Sequence, residues 1–248
     1  MTGLPARPRV VLFDVGDTLV RVDPSWGAVY AQACREFGLP VNDADVASAA
    51  DAESAAGFWD GSGPFEATRE ASFQRIKAFD ERIMVRLGHP DLPERFYRRI
   101  AELFEAVEAW HVFPDVAGAL DRLAEARIPA VVVSNWMWGL PELLHDLDLA
   151  RHFEHIVVSS RVGYDKPHPA IFRHALELAG AHASHAIHVG DNPATDVGGA
   201  RSAGVAPVLI RRKGDGAALR ERHSDLADVP IIEDLGQLIP LLGLRAAA

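Results

Sequence analysis

Apolar residues along the chain alternate between short unbroken runs and helically spaced positions. Arg9-VVLFDV is a compact apolar run ending in polar, glycine-containing sequence, the pattern of a strand buried on both faces. Pro129-AVVVSN, His155-IVVSS, Ala186-IHVGD and Val205-APVLI repeat it, and Val229-PII is a weaker version. Between them, helical spacing runs over Val116–Ala126, Leu140–Leu147, Pro169–Ala179 and Asp196–Ala203. Strands alternating with helices predict a Rossmann-like parallel sheet covered on both faces, an α/β core. The stretch from about Ser25 to Trp110 has helical periodicity only, with breaks at Gly61-Ser-Gly-Pro64 and Gly88-His-Pro-Asp91. The expected division is an α/β core over 1–22 and 112–248, with an all-helical insertion over 23–111. Val22-Asp-Pro24 and Phe113-Pro-Asp115 are the expected hinges.

Composition narrows the function classes. With 48% hydrophobic residues and 24% charged, the 248-residue chain has ample material for a core. A formal net charge of -10 argues against nucleic-acid and anionic-membrane partners. A phosphorylated small molecule stays open, because a local cation can reverse the sign inside a cleft. No apolar stretch approaches the span of a bilayer, and MTGLPARPRV has no signal-type pattern, so a cytoplasmic location is expected. Cys34, the single cysteine, reads as a half-buried structural thiol. Monomer and homodimer are equally open.

The candidate chemistry sits where the predicted strands end, the place where open parallel sheets bind ligands. Asp14-Val-Gly-Asp-Thr18 follows the first strand, Ser134-Asn135 the second and Gly190-Asp191-Asn192 the fourth, with Asp196 shortly after. Lys166-Pro167 follows the third, just before a helix. Each is common alone; the ordered set is not.

In order and strand context, VLFDVGDTLV, VVVSNW, GYDKPHPAIF and HVGDNPATDVGGARSAG resemble the four motifs of the haloacid dehalogenase (HAD) superfamily. The subgroup it resembles carries a helical cap between the first two motifs. FDVGDTL and SSRVGYDKP are most similar to the branch named after HAD-domain-containing protein 3. The resemblance implies a Mg²⁺-dependent phosphatase acting on a small phosphorylated substrate, with Asp14 as nucleophile. It implies metal ligation by Asp14, Asp191 and the carbonyl of Gly16, with Asp196 beside them steering water or Lys166. Ser134, the Asn135 backbone and Lys166 would hold the phosphoryl oxygens.

One position departs from the pattern. The usual second aspartate, two residues after the nucleophile, is Gly16 here, and an aspartate stands one place later as Asp17. Asp17 is the candidate acid–base by local rearrangement; slow turnover, restriction to good leaving groups, and ligand binding without hydrolysis are the alternatives. A metal-independent haloacid dehalogenase is the rival enzyme, although Asp191 stands where such relatives lack an acidic ligand. A phosphonatase would need a cap lysine for a Schiff base, and Lys77 is the one lysine there. His182, His185 and His188 read as structural rather than zinc-binding, and Arg211-Arg-Lys213 as a solvated turn. Trp26, Phe58, Trp59 and Phe73 read as mostly cap core, while the roles of Trp136 and Trp138 stay undecided.

Overall fold

The apolar runs become strands, and their register brings the polar strand ends together. In the computed structural model the described residues are 4–5, 7–56, 63–212, 214, 216, 220 and 224–244. The strands are β1 (Val10–Phe13), β2 (Val20–Val22), β3 (Trp110–Val112), β4 (Ala130–Ser134), β5 (His155–Val158), β6 (Ala186–Gly190), β7 (Ala206–Ile210) and β8 (Ile231–Ile232). Six form one parallel sheet in the order β5-β4-β1-β6-β7-β8. The weak Val229-PII signal is the two-residue edge strand β8.

Alternation along β1 explains the two layers. Val11 and Phe13 face one core with Val132, Ile187, Val189 and the buried stripe of α5 (Val116–Glu125). Val10 and Leu12 face the other core with Val131, Val133, Ile171 and Phe172. Successive strand side chains point to opposite faces, so each run must be apolar throughout.

Among the described residues, the segment between β2 and β3, the expected cap, carries the helices α1 (Trp26–Glu36), α2 (Asp43–Ala55), α3 (Arg69–Arg86) and α4 (Glu94–Glu105). Ser25, Asn42 and Thr68 accept hydrogen bonds from the first turns of α1, α2 and α3; such caps contribute about 1 kcal/mol each. Phe96, Tyr97, Ile100 and Phe104 form the buried stripe of α4. Phe58 and Trp59 lie outside the described residues. Trp26 is no core residue: it is 50% exposed, stacked on Phe104 and Trp110.

The cap's entry and exit, expected as hinges without strands, are more ordered than that. The structure pairs them: β2 and β3 form an antiparallel ribbon, with Val20 opposite Val112 and Val22 opposite Trp110. Three-residue strands are too short for a periodic signal, and they form because entry and exit meet in space. Arg212 braces this junction. It was expected in a solvated turn, yet its guanidinium pairs with Asp115 at 2.7 Å, donates to the Thr18 carbonyl and lies over the Phe113 ring. Arg211 donates to the Asp191 carbonyl at 3.2 Å, so it too leaves the expected solvated turn; Lys213 lies outside the described residues.

Candidate active site

Asp14 leaves the carboxyl end of β1 and is buried. Its main-chain N–H donates to Val189 O at 2.9 Å, continuing the β1–β6 register. Ser134, at the end of β4, donates its hydroxyl to Asp14 Oδ1 at 2.9 Å. Lys166 Nζ reaches both Asp14 Oδ1 and Asp196 Oδ1 at 2.6 Å. Lys166 is held by its backbone as well: Asn135 Nδ2 donates to Lys166 O at 2.9 Å, and Lys166 N donates to Asn135 Oδ1 at 2.6 Å. The Asn135 side chain, unassigned in the sequence reading, thus links the loops after β4 and β5.

Carboxylate oxygens of Asp14, Asp191 and Asp196 lie within 4.8 Å of one another, the one such acid or histidine group among the described residues. Burial, then the charges of Asp14, Asp196 and Asp17, push the Asp191 carboxyl up to about 8. Burial also raises Asp14 against the pull of Lys166. For Lys166, burial opposes the charged form, but the carboxylates of Asp14 and Asp196 outweigh it and hold the amine protonated. Burial would raise Asp196 too; the Lys166 charge and the His188 hydrogen bond outweigh it and hold this carboxyl well below its ordinary range. An all-oxygen group whose own charges repel is one a hard divalent cation relieves, so these residues fit Mg²⁺.

Support around this cluster comes from residues with no signal in the sequence pattern. His188, fully buried in β6, meets Asp196 Oδ1 through Nε2 at 2.9 Å, while Asn192 N donates to Asp196 Oδ2 at 3.0 Å. Both Asp196 oxygens are therefore engaged. A Cβ on Gly190 would come within 2.2 Å of Asp196 Cγ, so only glycine lets this carboxylate approach β6. The histidine triplet disperses: His182 contacts Ser184, and its ring is 6.4 Å from that of His185. Cys34 is completely rather than half buried, and burial pushes its thiol up.

The cap contributes contacts beside the cluster. Arg75 of α3 pairs with buried Asp165 at 2.5 Å, next to Lys166, and lies over the Phe65 ring. Trp138 N donates to Ser72 Oγ at 3.2 Å, and Phe65 N to Gly163 O at 3.0 Å. The cap therefore lies against the loops leaving the carboxyl ends of β4 and β5. Trp138 itself packs under Arg161. Asp17 is exposed, with φ at 51°.

A carboxylate, a lysine and a hydroxyl around a candidate cation site at the carboxyl ends of a parallel sheet define a hydrolytic centre of one class. The family model for haloacid dehalogenase-like hydrolases matches residues 8–204, and the chain belongs to that family. It is 30% identical to haloacid dehalogenase-like hydrolase domain-containing protein 3 of Danio rerio, covering 93% of this chain and 94% of that one. It is 27% identical to phosphoglycolate phosphatase of Pseudomonas syringae, covering 94% of this chain and 79% of that one. Among solved structures it is similar to the magnesium-bound HAD-hydrolase YfnB of Bacillus subtilis, with TM-score 0.72, 20% identity and coverage of 96% and 100%. The L-2-haloacid dehalogenase of Xanthobacter autotrophicus is similar with TM-score 0.71, 21% identity and coverage of 95% and 98%. At those identities the two structures speak for the fold alone. Among the described residues no helix is long and apolar enough to cross a membrane.

Proposed function

We propose that this hydrolase is a Mg²⁺-dependent phosphatase of a small phosphorylated metabolite, working through a phosphorylated Asp14. The observation that carries the reading is the convergence of Asp14, Ser134, Lys166 and Asp191 at the strand ends. An Asp14 oxygen attacks phosphorus, the new P–O bond forms as the ester P–O bond breaks, and water later releases phosphate. Mg²⁺ held by Asp14, Asp191 and the Gly16 carbonyl would supply the positive charge that lets two anions approach. Ser134 and the Asn135 N–H bind phosphoryl oxygens, and Lys166 orients Asp14 and offsets charge on the transferring group. Asp196, with both oxygens engaged by protein donors, positions Lys166 beside the metal site rather than taking a full place on it. The division 1–22 and 112–248 against 23–111 is read as core and moving cap, hinged at the β2–β3 ribbon.

A metal-independent dehalogenase is the competing reading, favoured by Gly16 in place of an acid two residues after Asp14. The clustering of Asp191 with Asp14 and Asp196 supports the phosphatase over it. Hydrolysis of sugar phosphates, nucleotides, phosphoglycolate and 4-nitrophenyl phosphate, with Mg²⁺ and with excess chelator, tests the choice. Turnover that stops in chelator is expected; chloroacid turnover unaffected by chelator would overturn the phosphatase.

A further inference from the structure

Gly16 and Trp136 fit together as one unit beside Asp14. Gly16 lies two residues beyond Asp14, and a Cβ built there would come within 3.3 Å of Cζ3 of the Trp136 ring. The indole is also backed on another side. Its ring meets Trp110 at 4.7 Å and 46°, and Trp110 is fixed by Nε1 donating to Phe104 O at 2.8 Å. Trp136 N donates to Ser159 Oγ at 3.2 Å, which fixes the main chain of the indole. Trp136 follows directly on Ser134-Asn135, so its backbone has little room to withdraw. A Cβ at position 16 would press on this ring, which would have to give by a few tenths of an ångström.

We infer that the Gly16–Trp136 pair sets the leaving-group specificity of the site, restricting it to phosphoryl groups on oxygens that depart as stable anions. The inference rests on the phosphatase reading and adds a substrate class to it. When the Asp14 oxygen bonds to phosphorus, the leaving oxygen takes both electrons of the broken P–O bond. It must then receive a proton or depart as an anion. A carboxyl carried on residue 16 would be two residues from the nucleophile, and the indole edge, 3.3 Å from its Cβ, crowds the space the carboxyl would take. The ring carbons facing Gly16 offer no proton. Asp17 is next in the chain, but its charge acts on Asp191, on the metal side of the cluster, and its left-handed backbone is fixed by Asp17 N donating to Val20 O at 2.7 Å. Aryl, enol and acyl phosphates and phosphoanhydrides satisfy this site; simple alkyl phosphates, whose alkoxide needs a proton, do not.

Two measurements on the full chain test the pair. The first is steric and reads melting temperature alone: Gly16→Ala is expected to lower Tm by several degrees in the parent and by much less in a Trp136→Ala background. Equal effects in both backgrounds would overturn the packing claim. The second compares kcat/KM for 4-nitrophenyl phosphate and glycerol phosphate with Mg²⁺. The expected parent ratio is about 10²–10⁴, the worth of a missing general acid. Gly16→Asp alone leaves that ratio wide, whereas Gly16→Asp with Trp136→Ala narrows it at least tenfold by speeding the alkyl ester. A narrowed ratio in Gly16→Asp alone, an unchanged ratio in the double variant, or a strong slowing of the alkyl ester by Asp17→Asn would each overturn the inference. A parent that hydrolyses neither ester with metal removes the phosphatase reading itself, a result distinct from any ratio.

Discussion

The carboxyl end of the sheet and the helical cap both bury charge, but they do so by different means. At the sheet end, Lys166 sits between Asp14 and Asp196 at 2.6 Å from each, with all three buried. Asp14 follows β1 directly, Lys166 follows β5 beyond the helical turn Ser159–Val162, and Asp196 stands in the helical turn Pro193–Gly198 after β6, so the register of β5, β4, β1 and β6 together with these two turns sets their separations. In the cap, Tyr30 of α1 donates to buried Asp80 of α3 at 2.6 Å, and buried Glu53 of α2 receives Arg82 and Arg86 of α3. Those partners come from different helices and hold the cap to itself. The sheet end crowds three carboxyls around one lysine, whereas the buried acids of the cap, Asp80 and Glu53, are met by partners from its own helices. That contrast is expected if the first region performs chemistry and the second only presents a surface to it.

Lys166→Met should produce the largest effect. It leaves Asp14 and Asp196 buried without their counter-charge; breaking a buried pair by removing one partner costs about 3–5 kcal/mol. Turnover should fall to background and urea unfolding should shift accordingly. An equally stable variant would show that the cluster does not depend on this charge.

The acidic positions should separate next. Asp191→Asn should raise the Mg²⁺ concentration for half-maximal activity by more than Asp196→Asn does. The latter, acting through Lys166, should show a shift of about 10–100-fold, typical of groups that support ligands. Titration of rate against Mg²⁺ measures both, and the reverse order would exchange their roles.

Arg75→Ala tests the cap's hold on the core. It leaves Asp165 buried and unpaired beside Lys166, a loss of about 1–3 kcal/mol. KM should rise roughly in proportion, up to about 100-fold, with kcat less affected. A change confined to stability would make this pair structural only.

Per pH unit, the most gradual effect is a pH dependence within the cap. Burial pushes the Asp80 carboxyl up to about 8, with the Tyr30 hydrogen bond opposing and the Glu81 charge adding. An unfolded aspartate titrates near about 3.9, so between these values the folded chain keeps a proton that the unfolded chain has released. This contribution to stability is complete below about pH 4 and is lost as pH rises to about 8, at up to about 1.4 kcal/mol per pH unit. Asp80→Asn should flatten the fall in melting temperature across that window. An unchanged pH profile would mean that Asp80 is already ionised in the fold.

The same contrast explains what could be read from the chain. Asp14, Ser134, Lys166 and Asp191 were legible because each follows a buried apolar run, and parallel order brings the run ends together. His188 was not, because a histidine inside such a run carries no sign that its ring meets Asp196 at 2.9 Å. Arg212 was misread because its partners, Asp115 and the Thr18 carbonyl, are remote in sequence. The β2–β3 ribbon was invisible for the same reason: pairing across the whole cap, rather than local preference, makes it a ribbon. Local patterns reveal elements and strand-end chemistry; contacts between distant segments leave no such trace.

Asp14 is the residue on which the account turns. Asparagine there keeps the shape and can still accept hydrogen bonds from Ser134 and Lys166, while losing the carboxylate that attacks phosphorus. Hydrolysis of 4-nitrophenyl phosphate by Asp14→Asn with saturating Mg²⁺, with Tm measured on the same sample, is the direct test. The account predicts activity below about one per cent of the parent, beyond the weakest acid–base losses, with a folded protein of similar Tm. Residual turnover well above that level in the folded variant would contradict it and take the nucleophile's role away from Asp14.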